Sequence, residues 1–252
     1  MPTAAASGSV RRVVLTSSID AIRLGHDSTG TVGTRTFTED DWSDVTRADP
    51  YPKSKVLAER AAWQFVRGTA LELVAVHPGL VLGPLQRAAR TTSAEPVRLL
   101  LSRGVPAVPH LGFAVVDVRD VARAHRLATE SAAAAGNRYI LAGEHRWLGE
   151  IAAVLAERFR PLGYRVPTRR MPRPLMWTAA RFDRTLRLAL AYVGRPALVS
   201  ADKAARELGW TARPADESIV DMAESLIAHG IVAPRVRRAG APRVVSPVPR
   251  SQ

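Results

Sequence analysis

Tyr51 and Lys55 stand four residues apart in DPYPKSKVLAERAAW (49–63), at the head of a stretch with helical apolar spacing. On a helix, residues i and i+4 share a face, so the lysine can hold the tyrosine hydroxyl near positive charge. That favours phenolate and predicts a tyrosine pKa lowered from its usual value of about 10. A tyrosine tuned this way can give a proton to a carbonyl oxygen as hydride arrives, or take it back in reverse. A nearby serine hydroxyl can hold the same oxygen and share its developing charge. Thr16, Ser17 and Ser18 supply hydroxyls at the end of VRRVVLTSS (10–18). Four tyrosines and three lysines in 252 residues give a Tyr-x-x-x-Lys pair by chance at roughly 0.05, so the pair needs company to count.

The elements that must position these groups can be read from pattern. VRRVVLTSS is a β-branched run and predicts a buried strand feeding a loop. Residues 19–50 read as a long polar loop carrying Gly25, Gly30, Gly33 and TEDDWSD. A helix is predicted from Tyr51 to Arg67, with Leu57, Ala61, Ala62 and Phe65 as its apolar face. LELVAVHPGLVLGP (71–84) predicts a second buried strand, broken at Pro78-Gly79. Further helices are expected over 95–104, after Asp117 or Asp120 as cap, over 147–159, around 174–193, over 200–210 and over 216–230; NRYILAG (137–143) is a third strand. Strands alternating with helices argue for an α/β fold on a parallel sheet.

Composition narrows the classes. Cysteine is absent, which excludes disulfides and thiolate metal sites. The start, MPTAAASGSVRR, lacks the order of a signal peptide and no apolar run is long enough to span a bilayer, so a cytoplasmic protein without a membrane partner is expected. The net charge is +13, yet only three of the 36 basic residues are lysine. Arginine dominance with abundant alanine is what a GC-rich coding sequence gives whatever the function, and the basic residues lack interleaved aromatics, so no specific nucleic-acid partner is expected. The six histidines show no metal-ligand spacing, and no metal is expected. Asp40, Asp41 and Asp44 read as a solvated acidic loop, and Trp177, Phe182 and Tyr192 as core packing. His77 reads equally as a packed histidine or a contact.

In order and spacing, VVLTSS, YPKSK, HPGLVLGP, VVDVRDVARAH, NRYILAGE and SADKAARELGW resemble the extended short-chain dehydrogenase/reductase superfamily, of NAD-dependent epimerase/dehydratase type. DDWSD is similar to the dihydroflavonol reductase, cinnamoyl-CoA reductase and bacterial aldehyde reductase-like branch. The resemblance spans roughly residues 10–231. It implies Tyr51 as the acid/base, Lys55 as its partner and a ligand of the nicotinamide ribose, and Ser18 (Ser17 as fallback) orienting the substrate carbonyl. Pro78, Gly79, Leu80 and Val81 would line the nicotinamide of NADP or NAD. The implied activity is reduction of a small aldehyde or ketone, and a homodimer is the family's usual state. A nucleotide-sugar epimerase or dehydratase uses the same three residues and is the enzymatic alternative; a non-catalytic remnant acting as a binding protein is the other.

The superfamily opens with a strand and a G-x-x-G-x-x-G turn that meets the cofactor pyrophosphate at a helix N-terminus. GHDSTGTVG lies after the serine strand and in the wrong order. The expected fold is therefore the C-terminal part of a Rossmann-like parallel sheet lacking its first strands, from an N-terminally truncated chain. The expected division is a partial Rossmann-like domain over 1–160, a smaller, mostly helical substrate-side region over 161–231, and a disordered basic tail over 232–252.

Overall fold

The structure, a computed structural model, describes residues 1–26, 35–46, 49–89, 91–181, 187 and 190–233. Gly30, Gly33 and Phe182 lie outside the described residues, as does the tail from 234 onward. Three strands, β1 (Arg12–Thr16), β2 (Glu72–Pro78) and β5 (Arg138–Leu141), form a parallel sheet in the order β1-β2-β5. Val14 pairs with Val74, and Val76 with Tyr139. β2 is the central strand and is buried from Leu73 to Pro78. That is why it reads as an unbroken apolar run rather than an alternating one.

At Gly79 the chain leaves this sheet. Its N–H still reaches Leu141 O at 3.1 Å, but the next residues form β3 (Leu80–Leu82), which belongs to a second sheet. There β3 pairs parallel with β4 (Gly112–Asp117), and β4 pairs antiparallel with β6 (His145–Trp147). A Cβ on Gly79 would lie 2.1 Å from Ala114 O, so only glycine permits the crossing. Gly79→Ala is expected to cost on the order of 3 kcal/mol by overpacking against backbone. Thermal unfolding measures it, and an unshifted midpoint would mean that the two sheets can part there without loss.

Three strands and one sheet were expected; the described residues hold six strands in two three-stranded sheets. The run over 71–84 is two strands in different sheets, and β6 occupies the position where only a helix start was expected. Three residues are too few to show a period of two.

The helices are α1 (Pro2–Ala6), α2 (Pro50–Val66), α3 (Glu95–Leu101), α4 (Val118–Glu130), α5 (Leu148–Phe159), α6 (Arg173–Ala179), α7 (Asp202–Leu208) and α8 (Ala215–Ala228). One apolar cluster joins α3, α5 and α8 to β3 and β4, through Leu101, Leu155 and Leu226. A second joins α4 and α7 to the first sheet and contains Trp210, whose indole N–H donates to Asp120 O at 2.8 Å. Asp117 caps α4 by accepting from Arg119 N at 2.8 Å, the economical role its position suggested. Arg119 also meets Asp221, and Arg213 meets Asp120, which fastens α8 to α4.

Of the helix expected around 174–193, α6 covers Arg173–Ala179, and residues 182–186, 188 and 189 lie outside the described residues. The packing expected of its aromatics fails. Trp177 is 67% exposed rather than packed, and Tyr192 spends its hydroxyl on Asp49 Oδ2 at 2.6 Å. The inner face of α2 is also rotated from the apolar count. Pro52, Val56, Glu59 and Ala62 are buried while Leu57 is half exposed, because the deepest residue is a carboxylate with partners on three strands or strand ends.

Candidate active site

The three hydroxyls that end the first strand separate cleanly. Thr16 Oγ1 contacts His125 Nε2 on α4 at 2.7 Å. Ser17 Oγ donates to Glu59 Oε2 at 2.6 Å, behind the sheet ends. Only Ser18 faces the cavity at the strand ends, where its Oγ also accepts from Asp20 N at 3.1 Å. Of the two serines, Ser18 is thus the one at the cavity, while the Ser17 hydroxyl is committed to Glu59.

Tyr51 sits in the first turn of α2, and with Ser18, Gly79 and Leu80 it lines one cavity of about 300 Å³. Asp20, Arg23, Thr92 and Ser93 add polar groups to its wall, and Phe113 and Ala114 apolar ones. Lys55 holds Nζ 5.8 Å from the Tyr51 ring centroid, over the ring on the same helix face. Pro78 is buried at the end of β2, and Val81 packs into the apolar cluster of the first sheet. Of the seven residues singled out from sequence, the structure brings Ser18, Tyr51, Gly79 and Leu80 to the cavity. Lys55, Pro78 and Val81 stand beside or behind it.

The electrostatics of Tyr51 reverse the expectation. Burial against the cavity wall, then the Asp20 carboxylate, push its pKa above the ordinary 10, with a hydrogen bond to Ser18 pulling the other way. The hydroxyl keeps its proton at neutral pH.

Sequence reasoning missed the group that assembles the site from behind. Glu59, eight residues beyond Tyr51 and fully buried, accepts from Ser17 Oγ at 2.6 Å, from Arg138 Nε at 2.7 Å and from Trp63 Nε1 at 3.3 Å. Its Oε2 lies 2.7 Å from His77 Nε2. Because a carboxylate only accepts, His77 carries its proton on Nε2, and the buried Nδ1 finds no partner among the described residues. Burial alone would raise the Glu59 pKa; the His77 contact, the Arg138 guanidinium and the Ser17 hydrogen bond outweigh it and bring it down to about 2. His77 is thus a packed, hydrogen-bonded histidine one residue before Pro78.

Arg138 also reaches Glu39 O and Asp41 O, and stacks on Trp42 at 3.9 Å, so the acidic loop is tied to β5. In that loop Asp41 accepts from Thr38 N and pairs with Arg35, and Ser43 Oγ bridges Leu24 N and Asp20 O. No local pattern marked Glu59, because the inward face it shares with Pro52 and Val56 is not the apolar stripe of α2.

No family model matches the chain. It is 38% identical to a cinnamoyl-CoA reductase of Medicago truncatula over 161 residues, 63% of this chain and 48% of that protein. It is 34% identical to an anthocyanidin reductase of Vitis vinifera over 176 residues, 64% of this chain and 50% of that protein. The chain thus spans about half the length of the curated relatives it matches. Among solved structures, the yeast methylglyoxal/isovaleraldehyde reductase complexed with NADPH aligns with TM-score 0.68 and 28% identity, covering 89% of this chain and 66% of that one.

Proposed function

We propose that the chain is a member of the extended short-chain dehydrogenase/reductase superfamily, the reading its reductase relatives support, and that it is an NAD(P)-dependent oxidoreductase that reduces a small aldehyde or ketone. The observation that carries this reading is the shared cavity of Ser18, Tyr51 and Gly79 at the carboxyl ends of the parallel strands, where ligands of α/β sheets bind. A volume of about 300 Å³ suits a nicotinamide end with a small carbonyl, at the lower limit of ligand pockets. A nicotinamide bound beside Pro78, Gly79, Leu80 and Val81 would supply the hydride; NADP is favoured by the NADPH-bound relative.

The chain's own residues supply the rest. Ser18 Oγ donates to the substrate carbonyl oxygen and fixes its direction. Tyr51 gives its proton to that oxygen as negative charge develops there. Lys55, whose charge lies over the Tyr51 ring, offsets the negative charge left on the phenolate and contributes a donor for the nicotinamide ribose. Ile19, Leu80 and Phe113 give the cavity wall its apolar part. Residues 161–231 form the substrate-side region in this reading.

Loss of reduced-nicotinamide absorbance with a panel of small aldehydes and ketones tests the activity. Lys55→Ala is expected to weaken both nucleotide binding and turnover, because the lysine has two tasks. Nucleotide affinity equal to the parent's would contradict the ribose role. The epimerase or dehydratase alternative is less favoured, since the relatives in sequence are reductases. A homodimer through the outward face of α2, where Leu57 is 49% exposed, and a cytoplasmic location belong to the same proposal. Among the described residues no helix is long and apolar enough to cross a membrane.

A further inference from the structure

We propose that a second cleft, sharing no lining residue with the Tyr51 cavity and lined by Arg103, Arg160, Arg165 and Arg169, binds a small phosphorylated molecule carrying a diphosphate group. The cleft holds about 530 Å³, and no carboxylate lines it. Arg103 follows α3, Arg160 follows α5, and Arg165 and Arg169 come from the segment after it. Arg119, Arg138, Arg146 and Arg213 all meet carboxylates. Among the described residues, the four cleft arginines show no such pair. Arg160 Nη2 is held by Val166 O at 2.9 Å and Thr168 Oγ1 at 3.0 Å, which sets the shape of the wall. Four exposed arginines thus line one concavity without a carboxylate, and their planar forks suit phosphate oxygens.

A second observation comes from the backbone. Arg103 has φ of 52°, the only non-glycine residue with positive φ among the described residues. It stands just past the end of α3, where glycine is usual because a Cβ is strained in that conformation. Glycine stands one position further, at Gly104, yet the strained position carries an arginine whose side chain lines the cleft. Strain kept at one residue of a ligand-sized cleft points to a task for that side chain. The nearest aromatic, Tyr164, is 5% exposed and packs on Phe159, so the cleft offers no stacking platform for a nucleic-acid strand. A compact phosphorylated ligand fits better.

The site does not depend on the reductase reading, and its test needs no turnover. Inorganic pyrophosphate is titrated calorimetrically into the whole chain at moderate salt, with Arg103→Gly, Arg169→Gln and Arg126→Gln alongside. Arg126 pairs with Glu130 on the surface of α4 and makes the same change in charge away from the cleft. The expected result is saturable one-to-one binding, weakened about tenfold by Arg103→Gly and by Arg169→Gln, and little changed by Arg126→Gln. Arg103→Gly should at the same time leave the thermal midpoint unchanged or raised, since glycine relieves the strain. Equal weakening in all three variants would mean a diffuse field of the +13 chain and would overturn the site. So would non-saturable binding, or binding of an oligonucleotide without binding of pyrophosphate.

Discussion

Tyr51→Phe, in protein that binds the nicotinamide nucleotide, is expected to lower turnover by about 10²- to 10⁴-fold while leaving nucleotide affinity nearly intact. The substitution removes one oxygen from the cavity wall and nothing from the helix that carries it. The Tyr51 backbone carbonyl accepts from Ser54 Oγ at 2.7 Å and its ring lies under Lys55. Both contacts survive the change, and only the hydroxyl's hydrogen bond with Ser18 is lost. The expected signature is therefore a fall in kcat with a folded, nucleotide-binding protein. Undiminished turnover would remove Tyr51 from the chemistry.

The raised pKa of Tyr51 gives the pH dependence a definite sign. Below that pKa the proton is in place and the proposed carbonyl reduction has its acid. As pH rises through it, above the usual 10, reduction loses that acid and alcohol oxidation gains its base. A reduction rate that falls with an apparent pKa well below 10 would mean that Lys55 governs the tyrosine after all, as the sequence spacing suggests.

Removing the buried charge of Glu59 should have the largest effect on stability. Glu59→Gln keeps the volume but leaves the Arg138 guanidinium facing a neutral amide and sets an NH₂ group against one of the present donors. Breaking a buried pair by deleting one partner costs on the order of 3–5 kcal/mol. Urea unfolding at neutral pH measures it, and a loss below about 1 kcal/mol would show that solvent already screens the network.

The same carboxylate should make the parent protein acid-sensitive. Its folded pKa of about 2 lies below the ordinary 4.5. A depressed carboxylate pKa contributes stability that is present above the unfolded value and is lost as pH falls through the folded one. The contribution, on the order of 3 kcal/mol, should fade between about pH 4.5 and 2. Glu59→Gln should flatten the stability curve over that range.

How far the sequence could be read depended on where the burial lay. The Tyr51–Lys55 pair, the hydroxyls ending β1 and the break at Gly79 were legible because each is a local pattern: a helical spacing, a strand end, a Pro-Gly turn. The parallel sheet was legible because β2 is apolar without alternation. What stayed hidden rests on contacts between distant segments. Glu59 looks like a solvated helix residue until Ser17, His77 and Arg138 arrive from two strands and a strand end. The direction of the Tyr51 shift comes from burial in the cavity wall, reinforced by Asp20, which sequence separates from it by a long loop. β6 was too short for periodicity, and the exposed Trp177 broke the assumption that aromatics at helical spacing mark a core.

Fluorescence titration of NADPH into the whole chain, with Lys55→Ala as its partner experiment, bears most directly on the oxidoreductase reading. Saturable quenching or enhancement, with weaker affinity in Lys55→Ala, is the expected result and would tie the nucleotide to the cavity of Ser18 and Tyr51. A folded, soluble chain that shows no saturable change with either NADPH or NADH would contradict it, leaving the three residues without the hydride donor their geometry serves.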